Sequence, residues 1–144
     1  LNTILGQENG LQLISDISKR YGNQSVIVSI DFKESLFKKK KVYAHASNKT
    51  MNVDILTFAK QCEEAGCGEI MLNAVSRDGM YSGYDIEMLK AVSQAVSIPV
   101  IICGGASNSI DFKEAEINGA SAMAAGSMFV FQRPHNAVLI SYNV

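Results

Sequence analysis

The chemistry legible in this 144-residue chain sits where glycines and single carboxylates follow apolar runs. Gly104 and Gly105 come directly after the run 99–103, and one unit later Gly126 and Ser127 come directly after 120–125. A glycine has no Cβ, so its backbone N–H can approach a ligand closely, and a turn that opens a helix gathers N–H groups suited to an anion. Together the two turns read as a cup for a phosphate; the alternative is two ordinary tight turns. Asp31 ends another β-branched run, where a carboxylate beside a ligand pocket serves as general acid or base, or equally as a capping or ion-paired residue. Asp78, next to Gly79, either touches a ligand or stabilises its own glycine-containing loop.

Other reactive types are less suggestive. Cys103 lies where a strand meets the Gly-Gly turn, but no base is placed to activate it, so it reads as a packing residue. Cys62 and Cys67 have no nearby third and fourth ligand to complete a zinc site, and His45 and His135 lack partners at metal-ligand spacing. The expectation is no metal and no cofactor, with surface or hydrogen-bonding roles for both histidines.

These residues need a frame to hold them, and hydrophobic patterning supplies it. Helical spacing predicts a helix over 11–21 stopped by Gly22, a second over 52–65 capped by Asn52 and closed by Gly66, a third over 85–96 and a fourth over 109–118. Between them, 25–30, 69–75, 99–103 and 120–125 read as strands; the first is β-branched enough to be covered on both faces. Residues 36–49, with the basic run 38–41, look like an exposed hairpin whose lysines form a solvated face. A short helical turn over 127–131 and a piece over 134–142 finish the chain. The approaches Ala65-Gly66-Cys67-Gly68 and Asn118-Gly119-Ala120-Ser121 look alike, as repeated βα units would. Alternating β and α segments imply an α/β fold with a parallel sheet. In such folds ligands bind just past the C-terminal strand ends, where Asp31, Asp78, Gly104 and Gly126 all fall.

Composition narrows the class. A 47% hydrophobic, 19% charged chain suits one globular domain, and a formal net charge of −1 offers no general attraction to nucleic acid or anionic membrane. No apolar stretch approaches the roughly 20 residues of a membrane span, and the first ten residues are polar with no basic start. Three cysteines, an odd set, fit a reducing, cytoplasmic setting.

Arg77-Asp-Gly followed by Ser82-Gly-Tyr-Asp85, then Pro99-Val-Ile-Ile-Cys-Gly-Gly-Ala106 and Ala124-Ala-Gly-Ser127-Met-Phe, resemble in order the HisF family, the cyclase subunit of imidazole glycerol phosphate synthase. Val28-Ser-Ile-Asp31 resembles that family's fifth strand, and Asn2-Thr3 the close of its fourth. The resemblance implies the C-terminal half of a (β/α)8 TIM barrel spanning residues 1–144, with about four parallel strands, where a whole barrel has eight and about 250 residues. It further implies one phosphate site at Gly79, Gly104, Gly105, Gly126 and Ser127, part of another at Asn2 and Thr3, and Asp31 as one of two catalytic aspartates. Such enzymes cyclise and cleave a phosphorylated ribulosyl substrate with ammonia from a glutaminase partner. The other aspartate belongs to a strand this sequence lacks. Ser76 stands where the family usually has an acidic residue, and Met80 where a hydroxyl is common. The tail 129–142 is more similar to HisF paralogues of surface-polysaccharide amidation, which implies an amidotransfer alternative.

Two expectations compete on function. One is a cyclase-like synthase fragment binding a phosphorylated small molecule beside a glutaminase. The other is a catalytically incompetent half-barrel, a phosphate-binding or assembly module. In both, the open sheet edge calls for completion by self-association or by a missing N-terminal half.

Overall fold

The computed structural model describes residues 9–34, 39–132 and 137–138. Helix α1 (Gly10–Tyr21) leads through a single 3-10 turn (Asn23–Ser25) to β1 (Ile27–Glu34), and β2 (Lys40–Ala44) returns antiparallel to it. After a 3-10 turn at His45–Ser47 and β3 (Lys49–Thr50), the chain alternates: α2 (Ile55–Glu64), β4 (Glu69–Ala74), α3 (Ile86–Ala95), β5 (Val100–Cys103), α4 (Ser109–Ile117) and β6 (Ala122–Ala124). The short α5 (Ser127–Val130) runs into β7 (Phe131–Gln132), which pairs with β8 (Ala137–Val138).

Six strands form one sheet in the order β3-β2-β1-β4-β5-β6, and β1, β4, β5 and β6 are parallel. The α/β class and the four parallel strands are as the patterning predicts. Helices α1 to α4 touch one another in sequence and lie as a continuous layer on one face. Under that layer, rows of aligned residues close the core: Val28, Ile70 and Val100 in one row, Ile30, Leu72 and Ile102 in the next, all essentially inaccessible. Burying each such side chain contributes about 1.5–3 kcal/mol.

The other face differs from expectation. Burial alternates along β4 and β5 rather than running through, and Ile27 of β1 is 44% exposed. A strand side-chain period of two sends alternate residues to opposite faces, and only one face carries helices. The first strand is therefore not covered on both sides.

Three further readings need correction. Asp31 does not end its strand, because pairing with Lys40–Val42 carries β1 on to Glu34. The hairpin is not wholly exposed: Val42, Tyr43 and Ala44 are buried, and Lys40 is 13% exposed in ion pairs with Asp85 (2.9 Å) and Glu87 (2.7 Å). The cap of α2 is Asp54, whose carboxylate accepts from the amide of Thr57 at 2.9 Å, while Asn52 accepts from Lys41. The look-alike approaches are one contact used twice, Gly66 lying against Ser18 of α1 and Gly119 against Ser93 of α3. Asn2, Thr3, Lys38 and most of the tail fall outside the described residues.

Candidate functional site

Strand register alone assembles the first part of the site. Asp31 pairs with Asn73, Asn73 with Cys103, and Cys103 with Ala124, so one row crosses all four parallel strands. These side chains share the face that the helices leave uncovered. The Asp31 carboxylate, 7% exposed, accepts at Oδ1 from Ser29 Oγ (3.0 Å) and Asn73 Nδ2 (3.1 Å), and at Oδ2 meets His45 Nε2 at 2.9 Å. Burial without partners would be costly for a carboxylate, and here three donors offset that cost. His45 opens the turn after β2 and is held edge-on against Tyr43, whose ring also carries Lys33 Nζ on its face at 3.7 Å. Asn73 Oδ1 is buried with no hydrogen-bond partner among the described residues.

The glycine turns form the second part. Gly104 has φ +87° and Gly105 φ +107°, a region that side chains rarely adopt, and a Cβ on Gly104 would lie 2.7 Å from the Ala74 carbonyl oxygen. Gly126 is different. Its φ is −115° and nothing lies within 4 Å of where its Cβ would be, so space rather than strain marks that position. It opens α5 with no side-chain cap, where the first N–H groups lack intrahelical acceptors. A single cleft is lined by Asp78, Gly79, Gly104, Gly105, Gly126 and Ser127, among others, and a Cβ on Gly79 would lie 3.7 Å from Ser127 Oγ.

The loop after β4 is what draws these tips together. Arg77 Nη1 donates back to the carbonyls of Ser82 (3.4 Å) and Gly83 (3.3 Å), closing the loop on itself. The Tyr81 hydroxyl donates to the Ser127 carbonyl at 3.1 Å, and that of Tyr84 to the Ala124 carbonyl at 3.0 Å. The Tyr84 hydroxyl thus reaches the last residue of β6 and that of Tyr81 the first residue of α5. Burial pushes the Tyr84 phenol up to about 12, so it remains a donor. At the loop's end Asp85, itself buried, caps α3 through the Met88 amide and binds Lys40 of the hairpin.

Asp78 is the one carboxylate among the described residues that line the cleft. The Cys103 thiol is raised above its ordinary value by burial, then by the charges of Asp78 and Asp31, with a Gly104 amide bond acting the other way. That leaves it protonated at neutral pH and fits the packing role. Cys62 is buried and raised to about 12, again by burial.

Of the expected site residues, Asp78, Gly79, Gly104, Gly105, Gly126 and Ser127 come together in one cleft, and Asp31 lies on the same row as Cys103 at its floor. Asn2 and Thr3 lie outside the described residues. Sequence reasoning missed Asn73, Tyr81 and Tyr84, and gave His45 no partner. Asn73 had a usable signal, a polar residue at the end of an apolar strand. The His45 contact had none, because it depends on how the hairpin folds back.

Comparison with known proteins places this arrangement. The family described as histidine biosynthesis protein matches residues 2–134. Similar relatives include a provisionally named imidazole glycerol phosphate synthase subunit hisF2 of Pseudomonas aeruginosa, 41% identical over 133 residues, covering 92% of this chain and 53% of that protein. A provisionally named HisF subunit of Leptospira interrogans is 40% identical over 133 residues, covering 91% and 52%. The HisF subunit of Hyphomonas neptunium is 42% identical over 120 residues, covering 83% and 47%. The chain spans about half the length of the curated relatives it matches. On the strength of the matched residues and these relatives, the chain belongs to the histidine biosynthesis protein family and, within it, to the HisF group.

Proposed function

We propose that this chain is the C-terminal half of a (β/α)8-barrel cyclase subunit of imidazole glycerol phosphate synthase type, supplying one phosphate cup and one catalytic carboxylate. The observation that carries the reading is the single cleft shared by the turns after β4, β5 and β6, with the Asp31 row beneath it. Gly79, Gly104, Gly105, Gly126 and Ser127 hold one phosphate of a phosphorylated ribulosyl substrate. Among the described residues no cation lines that cleft, so backbone N–H groups do the holding, as at other glycine-rich turns and helix starts. Asp78 lines it too and its charge opposes the anion, which fits a role in orienting ammonia or substrate rather than gripping phosphate. Asp31, held by Ser29, Asn73 and His45, transfers a proton during ring formation. Ammonia comes from a glutaminase subunit, and Asn2 and Thr3 contribute to the second phosphate site.

The test is orthophosphate titration followed by amide shifts: Gly104, Gly105, Gly126 and Ser127 move together with one affinity. Silence of all four removes the phosphate cup. Activity is then measured with the first half of a family barrel and an ammonia source, where Asp31→Asn abolishes turnover; an active variant removes the catalytic assignment.

A second reading, an assembly module, is favoured by one observation. The helix-free face carries half-exposed Ile27 and exposed Ala122, and β6 is the terminal strand of its sheet. Uncovered strand edges recruit other chains. Light scattering decides it: a dimer or larger without phosphate binding supports the module, and a monomer removes it.

A further inference from the structure

Asp31 is a buried acid with a solvent-exposed neighbour. Its side chain is 7% exposed, while the His45 ring bonded to Oδ2 at 2.9 Å is 55% exposed. Ser29 and Asn73 bind Oδ1 from within the sheet. A carboxylate that gains or loses a proton at each turnover needs a route to water, and an imidazole with one nitrogen on the acid and the other free to face solvent is suited to provide it.

We propose that His45 is the proton exchanger of Asp31, a further residue of the proposed reaction; this rests on Asp31 acting as acid/base. The transfer balances as one proton. In the resting ring Nε2–H donates to the carboxylate; water delivers a proton to Nδ1 as the Nε2 proton passes to Oδ2, and Asp31 gives that proton to the ligand as acid. When Asp31 next takes a proton from the ligand as base, it passes from Oδ2 to the now unprotonated Nε2 and the Nδ1 proton returns to water. Two transfers of opposite direction restore the starting tautomer.

The surroundings fit an exchanger. Tyr43 packs edge-on against the ring from β2 at 4.8 Å, fixing its plane, and Lys33 of β1 lies over the Tyr43 ring. Among the described residues, the Cys103 thiol of β5, raised by burial and by the charges of Asp78 and Asp31, stays uncharged beside the relay. Asn48 holds the Tyr43 hydroxyl from the same turn that carries His45, so the hairpin keeps ring and acid in register.

Two measurements test the proposal. In this chain, ring nitrogen-15 spectra report the tautomer: a His45 with Nε2 protonated, whose preference disappears in Asp31→Asn, is expected, and identical spectra overturn it. With the barrel's first half present, His45→Gln keeps a hydrogen-bond donor near Oδ2 but cannot relay. Turnover then falls at least ~10-fold at unchanged KM and with an altered pH profile, a smaller loss than the roughly 100- to 10,000-fold of a group that itself transfers the substrate's proton. Imidazole added to the buffer restores His45→Ala in proportion to its concentration. Full turnover and an unchanged profile in His45→Gln, or no rescue of His45→Ala, overturn the relay. If Asp31→Asn is itself active, the proposed function fails first; if Asp31→Asn is dead and His45→Gln is not, only the relay fails.

Discussion

The amide of Gly83 donates to the carbonyl of Gly105 at 2.9 Å, so closely that a Cβ on Gly105 would come within 2.3 Å of the Gly83 carbonyl oxygen. The loop after β4 and the turn after β5 are thus one backbone unit. Substituting Gly105→Ala combines this collision with a φ of +107° and destabilises the chain by about 2–4 kcal/mol, read from the denaturant midpoint. Gly126→Ala, with open space and negative φ, stays within about 0.5 kcal/mol of the parent. In the proposed cup both variants weaken orthophosphate binding, and Gly126→Ala separates that effect from stability.

Asp85 joins the hairpin to α3. Its removal in Asp85→Ala leaves Lys40 with Glu87 alone, removes the cap and costs about 1–2 kcal/mol, measured by urea unfolding. Lys40 adds a pH signature. Burial is the largest influence and lowers its ammonium, but the bonds it donates to Glu87 and Asp85 outweigh it, so the net shift is upward. A raised lysine contributes stability that is present below its ordinary 10.5 and lost as pH climbs through the higher folded value. An alkaline loss of stability above pH 10.5, diminished in Lys40→Met, is the expected result.

The acid limb has the opposite sign. Asp54 is lowered by the Thr57 amide and hydroxyl, and Glu63 by the hydroxyl and amide of Ser97. Depressed carboxylates contribute stability above their ordinary 3.8 and 4.5, lost as pH falls through the folded values. Both groups are largely exposed, so the effect per group is small. Thermal melts below pH 4.5 show Glu63→Gln losing less stability on acidification than the parent.

Thiol labelling reports on the cleft. At pH 8, Cys62, raised to about 12 and buried, reacts only on unfolding, whereas Cys103 is the least buried of the three cysteines and reacts first. Orthophosphate in the proposed cup covers Cys103 and slows its labelling several-fold. Labelling at one rate with and without phosphate sinks that prediction.

Much of this protein was written locally. Periodicity marked α1, α3, α4 and all four parallel strands to within a few residues, because apolar spacing, capping side chains and glycine stops act over a single turn or strand. The Gly104-Gly105 and Gly126-Ser127 turns were legible for the same reason: a missing Cβ after an apolar run is visible one residue at a time. The Asn52 cap was misplaced because Asn and Asp both suit the role, and only the chain's exit from the hairpin selects Asp54.

What tertiary structure decided was every relationship between elements. That Asp31 is buried rather than terminal, that it meets His45, and that tyrosines from one loop hold the tip of another strand all depend on register and on the return of β2. Contacts between residues tens of positions apart leave no mark in local composition. They exist because strand pairing fixes rows across the sheet, and the residues in a row become neighbours only once the chain has closed.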